Sequence, residues 1–402
     1  MAGPDVNALF RSAPYRRLWC NSALNAVSMG GDYVLIGWLV LDATQSSSWV
    51  GIAFALYYLP NIIFGIIGGG IADRFPRRGL LQSLDFGAAG LIILFSVLFV
   101  YQTPQAPLVL ALTLVLGSLR AIKNPVRLAL AYDFAGRQQA TRALSGISVA
   151  SRIGMLIGAI AIGVLTDRFG VAVALILMAL MHTAAAGALT GIRSRNQRVA
   201  ADNTPLWQNI NDYVREFRVN RVLLMLVLVT AGIELFGTSY TSALPELATS
   251  RLALRADGLG LMHAAQASGG LLIGLLLFVV SPQKRRIRIY GICVLLLGIS
   301  LITLGHVSDI PTVLLTLAVV SAMISAWDIL TQSMMQSCVP DHLRGRSMGA
   351  WMFAIGSSPL GQLEMGFLVT AIGIGPALYL NGSGVLLVIL IAFTVTPVLR
   401  KL

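Results

Sequence analysis

The sequence predicts an all-α membrane protein: twelve transmembrane helices in two pseudo-symmetric six-helix bundles. Three observations predict it. The chain of 402 residues is 56% apolar and only 11% charged, with a mean hydropathy of +0.79. A soluble domain carries about 25% charged residues, so one compact core cannot cover this much apolar surface. The apolar residues also fall in unbroken runs of about 20, the length of a helix across a bilayer, not in the alternating ten-residue strands of a barrel. Finally, the second half of the chain repeats the pattern of the first.

The elements follow in order. Span one (18–41) follows Arg11, Arg16 and Arg17 and ends at the polar "TQSSS". Span two (49–71) runs into the glycine cluster Gly68, Gly69 and Gly70. Span three (80–101) opens after Arg77 and Arg78 and closes at "QTPQAP". Spans four (107–131) and five (143–165) are separated by a polar turn with Arg137 and Arg142. Span six (171–191) ends the first half. Span seven (222–244) opens the second, followed by span eight (258–280) up to "SPQKRR", span nine (289–306) up to "VSDIP", and span ten (311–335). Span eleven (347–372) opens after Arg346, and span twelve (376–398) ends before Arg400 and Lys401. The expected domains are an N-terminal bundle over 1–191, a cytoplasmic linker over 192–221 and a C-terminal bundle over 222–402.

Within the linker, "TPLWQNINDYVREF" reads as a helix. Thr204 can cap it and Pro205 suits its first turn. Leu206, Ile210, Tyr213, Val214 and Phe217 recur at helical spacing, with Arg215 and Arg218 on the other face. The pattern fits a helix lying on the membrane surface, and equally a plain tether between the bundles.

Basic residues set the orientation. Of the 29 lysines and arginines, 22 fall on the side shared by both termini and only Arg168, Arg251 and Arg255 on the other. That asymmetry predicts cytoplasmic termini in a bacterial inner membrane. It also accounts for the net charge of +12 without nucleic acid as a partner. Cys20, Cys293 and Cys338 are far apart and make no metal or redox motif. No cleavable signal peptide is expected, because the first apolar run is too long and lacks a processing site.

The repeat is visible in "TRALSGISVASRIGMLIG" (141–158) and "GRSMGAWMFAIGSSPLG" (345–361), which open on Arg142 and Arg346 and run through small residues to glycines. The same shift lays span one on span seven and span four on span ten. Repeated six-span halves are the plan of many secondary transporters, with substrate near the midplane. Span five carries Gly154, Gly158 and Gly163, which permit close helix packing.

The turn "GGGIADRFPRRGLL" carries the most specific motif. Gly69, Ile71, Ala72, Asp73, Arg74, Arg77 and Arg78 stand where the major facilitator superfamily has its Gly-x-Leu-Ala-Asp-Arg-x-Gly-Arg-Arg turn between spans two and three, with Pro76 in place of a glycine. The chain resembles that family. Within it, "GDYVLIGWLVLDATQSSSWVGIAFALYYLPNII", "NPVRLALAYD", "YVREFRVNRVLL" and "VPDHLRGRSMGAWMFAIGSSPLG" are similar to the drug and siderophore exporters related to the enterobactin exporter. The resemblance implies the MFS fold and alternating access about a central site. It also implies a conformational latch in which Asp73, with Arg77 as charge partner, meets the start of span eleven near Arg346. The second-half turn "VVSPQKRRIRI" keeps the basic cluster without an acid. Two departures stand out: Gly154-Met155 replaces the Gly-Pro of the antiport signature, and Arg120 and Lys123 sit in span four.

Each charge inside a bilayer costs about 2.5–3.5 kcal/mol and calls for a reason. Asp32, near mid-depth in span one, reads as a proton-carrying or substrate-facing acid, or as a structural partner of Arg120 or Lys123. Glu234 nearly mirrors it in span seven and reads as a second proton site. Lys123 and Asp328 are near-equivalent across the repeat and could pair in one state, or keep local partners. Arg120, Lys123 and Arg127, at i, i+3 and i+7, make one face of span four basic. That face reads as a receiver for a carboxylate or catecholate, or as a neutraliser of membrane acids. Asp85, one or two turns into span three, is expected at the rim. His182 and His263 read as polar packing residues, with a proton relay as the alternative.

The sequence has no P-loop, HExxH or GxSxG. We therefore expect no enzyme, no cofactor and no ATP motor. The expectation is a monomeric, proton-coupled antiporter exporting an amphiphilic drug-like compound or siderophore, with membrane lipids around it. Anion or lipid transport, including uptake, and a non-transporting sensor are the alternatives.

Overall fold

The computed structural model describes residues 6–101, 105–191, 220–280, 286–338 and 351–395, with the side chains of 6–8, 63, 65–74, 136–138, 140–141, 278–280 and 395 left aside. The linker helix expected over 204–217 and the latch residue Arg346 lie outside the described residues. So do the side chains of Asp73 and Arg74; of these two and of Gly69 the structure gives only a helical backbone.

The described chain is helical throughout. A short helix α1 (Val6–Arg11) precedes α2 (Ala13–Thr44), α3 (Ser47–Arg74), α4 (Arg77–Tyr101), α5 (Ala106–Phe169) and α6 (Val171–Ala188). The second half holds α7 (Arg221–Phe236), α8 (Ala256–Val280), α9 (Arg286–His306), α10 (Ile310–Ser337), α11 (Ser358–Ile372) and α12 (Ile374–Val395). Among the described residues, ten helical segments are long and apolar enough to cross a membrane. The helices α3 and α11 fill the places of spans two and eleven.

Two expected boundaries differ. Where a polar turn was expected between spans four and five, α5 stays helical for 64 residues. A straight helix of that length would run roughly 96 Å. Leu116 and Ser151 nevertheless line one cavity, so the chain reverses between its two membrane-length segments, Ala106–Ala135 and Arg142–Phe169. Span seven, expected to reach 244, stops at Phe236. Gly237 follows, and the hydroxyls of Thr238 and Thr241 donate back to the carbonyls of Glu234 and Thr238 at 3.0 and 3.1 Å. Such local bonds compete with the helix ladder. Pro245, without an N–H, then opens a new helical turn, and a π-turn over Leu247–Arg251 completes the passage.

Two glycines make the sharpest turns. Gly170 (φ 86°, ψ 167°) joins α5 to α6, and Gly373 (φ 82°, ψ 165°) joins α11 to α12. That backbone region is essentially closed to residues with a Cβ. The two turns fall at matching places in the two halves, as the repeat requires.

By contacts, the chain divides into two compact units. The first comprises Met1–Leu39, Ile63–Asp202 and Arg255–Ala264; the second comprises Val40–Ile62, Asn203–Leu254 and Ala265–Leu402. In the first unit, α2 and α5 meet backbone to backbone. A Cβ on Gly30 would run into the Met155 carbonyl, and one on Gly154 or Gly158 into the Ala23 or Val27 carbonyl. A Cβ on Gly163 would likewise run into the Ala256 carbonyl of α8, with Gly260 next to it. Small residues let helices approach to dispersion contact where lipid supplies no hydrophobic drive. One end of this unit closes over Leu18, Leu81, Leu130 and Ile147, where the buried Tyr15 hydroxyl donates to the Ala143 carbonyl at 3.0 Å.

In the second unit, Gly51 of α3 packs on Gln362 and Gly366 of α11. Ser48 Oγ donates to Thr370 Oγ1 at 2.8 Å, and Ser47 Oγ to Glu246 Oε2 at 3.1 Å. Asn220 caps α7 by accepting from the Leu223 amide, and Asp309 caps α10 by accepting from the Thr312 amide, each at 3.0 Å.

Candidate functional site

The first unit holds a polar centre built by four helices. Helix α2 supplies Asn21, Asn25, Ser28 and Asp32 at i, i+4, i+7 and i+11, one face of a helix. Ser28 Oγ spends its proton on the Met178 carbonyl of α6 at 3.0 Å, fixing that face. Helix α4 supplies Asp85, α5 supplies Arg120, Lys123 and Arg127, and α6 supplies His182. Asn21, Asn25, Asp32, Asp85, Lys123 and His182 are all buried.

Lys123 is the hub. Its ammonium donates to Asn25 Oδ1 at 2.9 Å, to Asp85 Oδ1 at 3.0 Å and to His182 Nδ1 at 3.4 Å. An ammonium has three donors and no acceptor, so His182 must accept at Nδ1 and carry its proton on Nε2. Asp85 receives in turn from Asn21 Nδ2 at 2.8 Å and from Asn25 Nδ2 at 3.2 Å. Asn21 also donates to the Ala185 carbonyl at 2.9 Å. A buried ion pair is tolerable only when its remaining lone pairs and protons are satisfied, and here they are.

Beside this network opens a cavity of about 170 Å³, lined by Asn25, Asp32, Arg120, Lys123, Asn124, Arg127 and His182 with several apolar neighbours. Arg120 Nη1 reaches the Tyr33 hydroxyl at 3.4 Å, and Arg127 donates to Asn124 Oδ1. Tyr33 in turn stacks near His263, ring centres 5.6 Å apart. Among the described residues, the lining therefore carries three basic side chains against one carboxylate, Asp32.

Lys123 is thus paired with Asp85. The expected rim position of Asp85 is corrected: it is fully buried at the network's centre, because α4 packs its first turns against α2 and α6. Asn25 and His182 belong to the same group. The stripe at 21, 25, 28 and 32 was the sequence signal that could have found it.

In the second unit, Glu234 accepts from the Thr238 hydroxyl at 3.2 Å and Asp328 from Gln332 Nε2 at 3.0 Å. Both have partners on their own stretch of chain. Glu364 accepts from Asn381 Nδ2 at 3.2 Å. In the motif turn, Arg77 Nη1 donates to both carboxylate oxygens of Asp133 at 3.0 Å. Asp133 ends the "NPVRLALAYD" stretch. Arg78 is half-buried. Among the described residues, no group of three or more His, Cys, Asp or Glu could hold a metal ion.

Comparison with known proteins agrees with this architecture. A curated relative, the staphyloferrin A transporter of Staphylococcus aureus (strain NCTC 8325 / PS 47), is 22% identical over 371 residues, 91% of this chain and 92% of that protein. The fold matches a single-residue variant of the nucleoside transporter NupG with a TM-score of 0.78 at 12% identity, over 95% of this chain and 99% of that one. It matches the peptide transporter POT in complex with sulfate with a TM-score of 0.74 at 13% identity, over 99% of each chain. A bacterial homolog to the human lysosomal transporter Spinster, in an inward-facing and unoccupied conformation, gives 0.72 at 12% identity over 98% of each. The family model of the Major Facilitator Superfamily matches residues 18–361. With a twelve-helix plan, a repeated half and a buried polar cavity among its helices, this multi-pass membrane chain belongs to the major facilitator superfamily of secondary transporters.

Proposed function

We propose that this transporter exports an anionic small organic molecule of the siderophore class, with protons as the coupling ion. One observation carries the reading: Arg120, Lys123 and Arg127 line a cavity whose single carboxylate among the described residues is Asp32. Cations in a low-dielectric pocket attract a carboxylate or catecholate strongly and repel a cationic drug. The staphyloferrin A transporter, related over most of both chains, supports a siderophore over a drug-like amphiphile. Outward movement fits the charge, because an inside-negative potential favours exit of an anion by about 2.3 kcal/mol per charge per 100 mV.

Asp32 and Glu234 are the proposed proton carriers. The bundles over 1–191 and 222–402 are the proposed moving halves, alternating access to the substrate. The latch role of Asp73 and Arg346 rests on the motif, and Arg77 contributes through Asp133. The asymmetry of basic residues supports a bacterial inner membrane with both termini in the cytoplasm.

The test is uptake into everted vesicles across a panel of siderophores, cationic drugs and lysolipids. Anionic siderophores are expected to accumulate, and Arg120→Gln is expected to reduce their transport most. Accumulation of cationic drugs alone, unaffected by Arg120→Gln, would refute the proposal.

A further inference from the structure

We propose that Glu246 and Thr370 form a latch on the first turn of α3, capping its N-terminus from two other elements and holding that end of the second unit shut until the transport cycle parts them. The inference rests on the alternating-access reading above. It gives that cycle a second latch, at the opposite end of α3 from the motif turn.

A helix leaves the amides of its first turn without acceptors of their own. In α3, which opens on Ser47, one of these amides finds its acceptor 322 residues away: the Ser48 N–H donates to Thr370 Oγ1 of α11 at 3.0 Å. Ser48 Oγ donates to the same oxygen at 2.8 Å. Thr370 gives its own proton to the Gly366 carbonyl at 3.0 Å. A hydroxyl has one donor and two acceptor sites, so Thr370 is fully engaged in joining α3 to α11.

The second cap is a carboxylate. Glu246 stands on the passage between α7 and α8, and its Oε2 accepts from Ser47 Oγ at 3.1 Å. Its other oxygen accepts from Ser250 Oγ, inside the π-turn. The aligned amides of a helix make its N-terminus partly positive, and a carboxylate placed there is favoured. Ser47 is only 4% exposed, so little water screens this contact.

Two glycines bring the caps within reach. A Cβ on Gly51 would stand 2.6 Å from the Gln362 carbonyl oxygen, and one on Gly366 would stand 2.7 Å from the Ser47 carbonyl oxygen. The first turn of α3 thus lies directly on α11, and parting the two at these glycines unthreads no side chain. What separation uncovers is hydroxyls and one carboxylate, groups that water can satisfy in place of the cap. These are the properties of a contact that opens and re-forms, in contrast to the interlocked apolar core around it.

Helix α3 then carries a helix-terminus latch at each end. At its motif end the family pattern implies Asp73 meeting the start of span eleven. At its other end Glu246 meets the start of α3 itself. Alternating access requires the two to be made in turn, and the one at Ser47 and Ser48 is made in this structure.

The experiment uses the full chain with Cys20, Cys293 and Cys338 changed to alanine. In one arm, Ser48→Cys and Thr370→Cys are combined and oxidised in everted vesicles. The pair is expected to form a disulfide that arrests accumulation of the anionic siderophores of the panel above, and a thiol reductant is expected to restore it. A pair that does not join, or a joined pair that still transports, overturns the latch. The other arm needs no substrate. Ser47→Cys is labelled with a membrane-impermeant maleimide in right-side-out and in everted vesicles. Adding Thr370→Val is expected to raise the labelling rate about fivefold, the factor one ordinary hydrogen bond makes in a two-state equilibrium. Adding Glu246→Gln, which keeps the acceptor and removes the charge, is expected to raise it about two- to fivefold. A rate that either substitution leaves unchanged overturns the latch. If the chain carries no siderophore of the panel, the proposed function fails, while the labelling arm still decides the latch.

Discussion

Lys123 Nζ donates to Asp85 Oδ1 across 3.0 Å, and both side chains are buried in the first unit. Removing one partner strands a charge in apolar surroundings, which costs about 3–5 kcal/mol. Asp85→Asn and Lys123→Met are each expected to lower the thermal midpoint in detergent sharply. The double variant is expected to recover much of the loss. A double variant as unstable as the sum of the singles would show that the two side chains do not act as a pair.

Among the described residues, Asp32 is the only carboxylate lining the cavity, which separates two effects of one substitution. Asp32→Asn is expected to strengthen binding of an anion, by removing a like charge, and to abolish proton-driven efflux. Equilibrium binding and a vesicle flux assay measure the two independently. Unchanged flux would remove Asp32 from the coupling.

Three glycines give opposite outcomes for the same change to alanine. Gly90 lies in a helix with open space around it, so Gly90→Ala is expected to stabilise slightly, by up to about 1 kcal/mol. Gly170 has equally open space but a positive φ, so Gly170→Ala is expected to cost about 1–3 kcal/mol through the backbone alone. Gly158→Ala forces α5 off the Val27 carbonyl and is expected to reduce both stability and transport. Denaturation midpoints in one detergent rank the three.

Arg77 and Asp133 meet through both carboxylate oxygens. Arg77→Gln and Asp133→Asn are expected to slow the transport cycle to the same degree, with the double variant no worse than either, and a coupling of about 0.5–3 kcal/mol in the cycle of variants. Additive losses would place the two residues in separate roles.

Asp309, ahead of the α10 span, is held below the usual carboxylate range by hydrogen bonds from the Thr312 side chain and amide. A depressed folded value contributes stability above the unfolded pKa of about 3.9 and loses it as pH falls through the folded value. Asp309→Ala is expected to lower the melting temperature at pH 7, and the gap to wild type is expected to close below about pH 3.9. A gap independent of pH would mean that the carboxylate charge plays no part in the cap.

The span pattern was legible in the sequence because it depends on local composition. Runs of apolar residues fix helix length, and the expected boundaries fall within a few residues of those of α4, α6 and α9. The basic face at 120, 123 and 127 was also legible, because its residues lie on one helix. Asp85 was misplaced for the opposite reason. Counting turns from the start of span three placed it near the edge, whereas its burial comes from Asn21, Lys123 and His182 on three other helices. The end of α7 at Phe236 was hidden inside an apolar run, since hydropathy does not register hydroxyls turning back on their own carbonyls. Partner choice is a tertiary property, so the face carrying Lys123 was readable while its counter-charge was not.

The polar stripe of α2 also bears on how the molecule is made. Asn21 needs the Ala185 carbonyl of α6 and Asp85 of α4, and both leave the ribosome well after α2 itself. At about 5–20 residues per second, the first helix waits roughly 8–33 s in the bilayer with amides and a carboxylate uncovered. It must be sheltered during that interval by the insertion machinery or by lipid headgroups, and maturation of the first unit has the arrival of the sixth helix as its earliest possible completion point.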